Sequence, residues 1–105
     1  MQNTITQLPE SQIAILTYDN PPIYITHIDS VDVAKNQIKK ENDLFRIDLS
    51  PGTHEVVIHY KWKSMHGIGI TKNFEAKAGH RYKVTYWANE YFNNWWIADI
   101  REINP

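Results

Sequence analysis

The sequence predicts an all-β fold, a single antiparallel β-sandwich of about seven short strands, and three observations carry that expectation. Apolar residues recur with period two, as in Val56, Ile58, Tyr60 and Trp62 against Glu55, Val57, His59 and Lys61. Successive side chains of a strand point to opposite faces, so this is the pattern of a strand with one face in a core. Turn-forming clusters separate such runs at intervals of roughly 8–12 residues, the spacing of a sandwich. The length, 105 residues, suits one domain built around one core.

Taken in order, Gln12 to Tyr18 is a continuous apolar and β-branched run, too short for a helix and stopped by Asp19-Asn20-Pro21-Pro22. It reads as a buried strand. Residues 1–11 before it are expected to form a flexible N-terminal segment, leaving 12–105 as the domain. Ile23, Ile25 and His27 alternate with Tyr24, Thr26 and Ile28 in a second strand. From Asp29 to Asp43 the pattern weakens. Val31, Ala34 and Ile38 fit one helical stripe, while Val31-Asp32-Val33 fits a short strand followed by a polar loop, the reading favoured here.

Leu44 to Leu49 alternates again and runs into Ser50-Pro51-Gly52-Thr53, where Pro second and Gly third suit a type II turn. The flanking strands are therefore expected to be consecutive and antiparallel. In the strand that follows, the face of Val56, Ile58, Tyr60 and Trp62 should be core. Ser64-Met65-His66-Gly67 reads as a hairpin loop, with Ile68, Ile70 and Phe74 on the return strand. Ala78-Gly79-His80 is a second turn, and Tyr82, Val84, Tyr86 and Ala88 then alternate with Lys83, Thr85 and Trp87. Gly52 and Gly79, 27 residues apart, open similar turn-plus-strand units, a rhyme too short to be a domain repeat. A polar loop from Asn89 to Asn94 precedes a final strand, Trp95 to Ile103.

Composition narrows the function classes. Thirteen aromatics, four of them Trp, supply large buried areas from few positions, which argues against disorder. Eleven Lys and Arg against twelve Asp and Glu leave a net charge of -1, so no global field favours nucleic acid. With no Cys, disulfides, thiolate metal sites and a cysteine nucleophile are excluded together. Neither a signal-peptide pattern at the start nor an apolar run long enough to span a membrane is present. A soluble chain is the expectation.

An extended strand ending Leu49-Ser50-Pro51-Gly52-Thr53-His54 and continuing as an alternating strand resembles PEGA domains and carboxypeptidase regulatory-like, transthyretin-like domains. Phe74, Ala76, Gly79 and Tyr82 are similar to a Phe-x-Ala-x-x-Gly-x-x-Tyr segment of bacterial envelope and lipoprotein domains, and Ile28-Asp29 matches the end of an early strand. The likeness runs from about Ile13 to Ile103. Departures are Asp29-Ser30 where Asp-Gly is usual, and the lack of a lipid-anchor Cys. The resemblance implies a prealbumin- or immunoglobulin-like sandwich. It also implies a non-catalytic accessory module located in the periplasm or cell envelope, with a protein or glycan partner, no cofactor and no site residues to carry over.

Five histidines, His27, His54, His59, His66 and His80, invite a metal reading, since imidazole is a common ligand for zinc and copper. Spacing opposes it: His54 and His59 differ by an odd number and face opposite sides of one strand, while His54 and His80 sit at turn-to-strand junctions where an imidazole can bond loop carbonyls. A small metal-binding or enzymatic domain using His54, His59 or His80 is therefore the weaker alternative. Candidate carboxylates for catalysis, Asp29, Asp48, Glu55, Asp99 and Glu102, are scattered, and no nucleophile, zinc or phosphate-loop motif occurs. Asp48 and Asp99 are expected to cap turns or to pair with Arg46 and Arg101.

Basic residues gather between Glu55 and Lys83: Lys61, Lys63, Lys72, Lys77, Arg81 and Lys83. Interleaved with Trp62, Tyr82 and Trp87, they have the makings of a single-strand nucleic-acid surface. Lysine is also the usual guard of sheet edges, the reading favoured here. The aromatic and amide run Tyr91-Phe92-Asn93-Asn94-Trp95-Trp96 is the most suggestive cluster. Its chemistry suits stacking on sugar rings while bonding hydroxyls. Trp87, Tyr91, Trp95 and Trp96 are the binding candidates, a carbohydrate-binding module being the second reading. Adjacent Trp95 and Trp96 must point to opposite faces, so one should be core. Unpaired edge strands leave a homodimer open.

Overall fold

In this computed structural model, residues 9–63, 65–89 and 95–103 are described, with the backbone alone for Glu10, Met65, His66 and Trp95. The alternating runs become β1 (Ala14–Tyr18), β2 (Ile23–Ile28), β5 (Leu44–Leu49), β6 (Gly52–Trp62), β8 (Ile70–Ala76), β9 (Arg81–Asn89) and β10 (Trp95–Ile103). Three shorter strands join them: β3 (Val31–Asp32), β4 (Ile38–Glu41) and β7 (Met65–His66). No α-helix occurs among the described residues. One sheet runs β10-β9-β1-β5-β4; in the other, β3-β2-β6, both β7 and β8 pair with β6.

The two sheets pack together over one core. Leu16 and Tyr18 of β1, Ile47 and Leu49 of β5 and Val84 of β9 meet Ile23 of β2 and Val56 and Ile58 of β6, all almost fully buried. The alternation in β6 is borne out as far as Tyr60. Trp62 is 39% exposed, because β6 outruns β2, whose pairing stops at Ile23 with Tyr60.

Several expectations are corrected. The Ser50-Pro51-Gly52 segment is no hairpin turn: β5 pairs with β1 and β4, β6 with β2, β7 and β8, so here the chain crosses between sheets. Alternation reports which face of a strand is apolar and is silent on which sheet receives it. Nor is the pairing wholly antiparallel. β1 and β9 are parallel, Leu16 opposite Tyr82, which the long intervening chain allows. In β2 the register shifts between Ile25 and His27. Such a bulge inverts the alternation beyond it, and Ile28 is buried where His27 was expected. Strand β4 was unforeseen, and Ile68, expected on the return strand, lies before it and is 86% exposed.

β1 is buried on both faces. Ile15 and Thr17 point away from the main core yet are 2% and 1% exposed. A lattice of charged side chains lies on that side of the sheet: Arg46 binds Glu41 (2.7 Å) and Asp48 (2.6 Å), Arg81 binds Glu41, and Lys39 binds Asp48 at 3.1 Å. The aliphatic stems of Arg and Lys cover apolar surface while their heads are paired. Asp48 thus meets its expected partner. Thr17 Oγ1 donates to the Tyr82 carbonyl at 3.0 Å.

Ile28 pairs with Val31, so Asp29-Ser30 is the two-residue turn between β2 and β3, with φ of 54° and 67°. Positive φ at both positions marks a type I′ turn, which favours glycine second. A left-handed L-residue costs about 1–2 kcal/mol, and glycine returns part of that gain as unfolded-chain entropy. Ser30→Gly is therefore expected to stabilise the protein by about 0.5–1 kcal/mol, read as a higher urea midpoint at unchanged slope.

Candidate functional site

The motif residues that carry the family resemblance assemble at one end of the sandwich. β6 brings His54 inward, 6% exposed, where Nδ1 binds Asp29 Oδ2 and Nε2 binds the Ser50 carbonyl, both at 2.6 Å. Both ring nitrogens therefore lie against oxygen atoms that can accept a hydrogen bond. Asp29 Oδ1 accepts the Glu55 N–H at 2.9 Å. The cluster continues through Phe74, opposite His54 in register, and Tyr82, whose ring meets Phe74 edge-on at 5.1 Å and whose hydroxyl accepts the Lys77 N–H at 2.9 Å. Ala76 is buried. Gly79, at φ +78°, lies where a Cβ would sit 3.4 Å from the Ser11 carbonyl. The contacts tie the Ser50 and Lys77 segments, where the chain crosses between sheets, and the Asp29 turn to neighbouring strands. The motif is a clamp.

The remaining histidines are dispersed. His27 Nε2 lies 2.7 Å from Asp32 Oδ1, and His80 Nδ1 lies 2.8 Å from Glu102 Oε2. His59 stacks on Tyr24 at 5.1 Å, and burial, aided by the charge of His27, holds its pKa below the ordinary histidine value. Among the described residues no three potential metal ligands converge.

The aromatic candidates divide. Tyr91 lies outside the described residues, and of Trp95 only the backbone is described. Trp96 points inward, 7% exposed, its ring tilted against Tyr60 at 5.6 Å and donating from Nε1 to the Ile68 carbonyl at 2.8 Å. Trp87 is 53% exposed and faces Ile97, 56% exposed, directly across the β9–β10 ladder. Trp87 and Ile97 line an open groove of about 650 Å³ together with Thr85, Asp99, Arg101 and Lys72. Sequence reasoning missed Ile97 and read Asp99 and Arg101 as a turn cap or a mutual pair rather than as lining of this groove, though the shared parity of the three along β10 is a signal for one face.

Comparison with protein-family models, with curated proteins and with solved structures finds no match. The assignment of function rests on the molecule alone.

Proposed function

We propose that this chain is a non-catalytic binding module, and that its ligand surface is the outer face of β9 and β10 at Trp87. The observation that carries the reading is the exposed Trp87–Ile97 pair beside an open groove whose polar rim is Lys72, Asp99 and Arg101. Exposed apolar surface with a polar rim is the usual make-up of an interaction site. Asp29 and His54, which a hydrolytic reading would recruit, are engaged in the clamp instead. A place in the periplasm or cell envelope follows only from the resemblance of Leu49 to His54 and Phe74 to Tyr82 to envelope domains. That placement predicts co-fractionation with the envelope, and recovery in the cytosol would overturn it.

A second reading, carbohydrate binding, is favoured by the indole of Trp87 lining one groove with Thr85, Asp99 and Arg101, groups able to bond hydroxyls of a sugar stacked on it. A tryptophan-fluorescence titration with glycans and cell-wall fragments tests it. Trp87→Ala, at an exposed position, is expected to alter stability by no more than about 0.5 kcal/mol while abolishing a saturable shift. Binding that survives in the folded Trp87→Ala protein would move the site elsewhere. A silent panel would leave a protein partner as the ligand.

A further inference from the structure

Among the described residues β10 is the last strand of its sheet, hydrogen-bonded to β9 along all nine residues on one side and to no strand on the other, with β8 of the facing sheet packed nearby. An open edge of that length is a template for another strand unless something protects it. The Ile100 N–H shows which groups face outward: it is taken at 2.8 Å by the Asp99 carboxylate, its own neighbour, and so is turned to the open edge. Residues alternate in this respect, so Ala98, Ile100 and Glu102 present their backbone groups outward.

The side chains on the outer face, Ile97, Asp99, Arg101 and Ile103, read the same way in both directions by chemical type: apolar, charged, oppositely charged, apolar. Ile97 and Ile103 are among the exposed large apolar residues. No ion pair within the chain engages Asp99 or Arg101 among the described residues.

We propose that β10 pairs antiparallel with β10 of a second copy about a two-fold axis through Ile100. In that register Asp99 lies opposite the partner's Arg101, and Ile97 opposite the partner's Ile103, each pair occurring twice. Ile100 meets the partner's Ile100, and each amide donates to the other's carbonyl once Asp99 turns to its new cation.

Neighbouring registers do not work. Centred on Asp99, the axis sets two carboxylates face to face; centred on Arg101, two guanidiniums. Directly opposed like charges are destabilising. A shift of one residue would set the outer face of one strand against the inner face of the other. Charge and parity together select Ile100. Isologous pairing of this kind closes at two copies. It joins the two five-stranded sheets through their edges and leaves Trp87 on the outer face, while engaging Ile97, Asp99 and Arg101, which also line the groove proposed above.

Sedimentation equilibrium on the full chain up to about 0.5 mM, a range that detects a weak edge pairing, tests the inference. The wild-type protein is expected to approach twice its 12.4 kDa mass. Asp99→Arg sets like charges opposite each other twice and should weaken association about tenfold or more. Combining Asp99→Arg with Arg101→Asp restores opposite pairs and should recover the dimer. Both positions are exposed, and circular dichroism is the check that the variants fold. A wild-type monomer throughout the range overturns the proposal. So does a dimer indifferent to Asp99→Arg, or a charge-swapped protein that stays monomeric. Because Asp99 and Arg101 also line the Trp87 groove, ligand binding is read on the wild-type and Trp87→Ala proteins, which keep both charges, and association on the β10 variants.

Discussion

Trp96→Ala is expected to lower the unfolding free energy by about 3–5 kcal/mol, the range for truncating a large buried aromatic. The indole closes the core between the sheets: it packs against Tyr60, which in turn packs on Tyr86 at 5.9 Å, and it reaches the loop before β8. Gly67 lies under the ring so closely that a Cβ would stand 2.3 Å from the indole nitrogen. Alanine therefore opens a cavity and strips the Ile68 carbonyl of its donor. Trp96→Phe separates the two effects, since it keeps most of the packing and loses the N–H. Its expected cost is about 1–2 kcal/mol. Urea unfolding monitored by far-ultraviolet circular dichroism decides, and a loss below about 1 kcal/mol for the alanine variant would remove Trp96 from the core.

The second large effect lies at the clamp. Asp29→Ala is expected to cost about 2–3 kcal/mol, because it orphans the Glu55 amide, leaves the buried His54 ring without its acid and places alanine at a left-handed φ. Asp29→Asn keeps the acceptor for Glu55 and tolerates that φ, so it isolates the loss of charge.

The acid response follows from the same contacts. Burial tends to raise the Asp29 pKa, but the Glu55 amide, with the hydrogen bond and charge of His54, outweighs it and holds the carboxyl below its ordinary value. A depressed folded-state pKa means that the unfolded chain takes up the proton first as the pH falls. The contribution is complete above the ordinary carboxylate range and is lost below about pH 4. Asp48 behaves alike: burial is outweighed by hydrogen bonds from Arg46 and Lys39 and by their charges. The urea midpoint should therefore drop between neutral and acid pH in the wild-type protein and drop less in Asp29→Asn, the remainder belonging largely to Asp48. Equal slopes would mean that the Asp29 carboxyl is not held below its ordinary value in the folded protein.

The class of fold was legible because β6 and β9 present apolar period two, which in β6 holds from His54 to Tyr60. β4 was not. Its run Ile38-Lys39-Lys40-Glu41 holds one apolar residue, half-buried, and its outward charges serve the lattice over β1. A lattice of that sort looks in sequence like an ordinary polar stretch. The β2 bulge escaped for a related reason, since a shift of one residue leaves the composition of the strand unchanged. At the candidate site, the exposed parity of Trp87 could be read from β9. Choosing between Trp95 and Trp96 needed the register of β10, which cross-strand partners fix and local sequence does not. The carbonyl partner of His54 was foreseen from its place beside a turn; its carboxylate came from Asp29, 25 residues earlier in the chain.

The position of β1 also bears on how the chain is made. Its five residues, Ala-Ile-Leu-Thr-Tyr, are uncharged and β-prone, and both edges are filled by strands that come later: β5, and then β9, which begins 63 residues after β1 ends. During synthesis the earliest core strand emerges well before the neighbours that complete its hydrogen bonding. Contacts of such separation form slowly, and an exposed segment of this composition is what intermolecular β-pairing selects. The charged residues that roof β1 in the finished protein, Lys39, Glu41, Arg46 and Asp48 on β4 and β5, are translated before β9. They therefore reach β1 first.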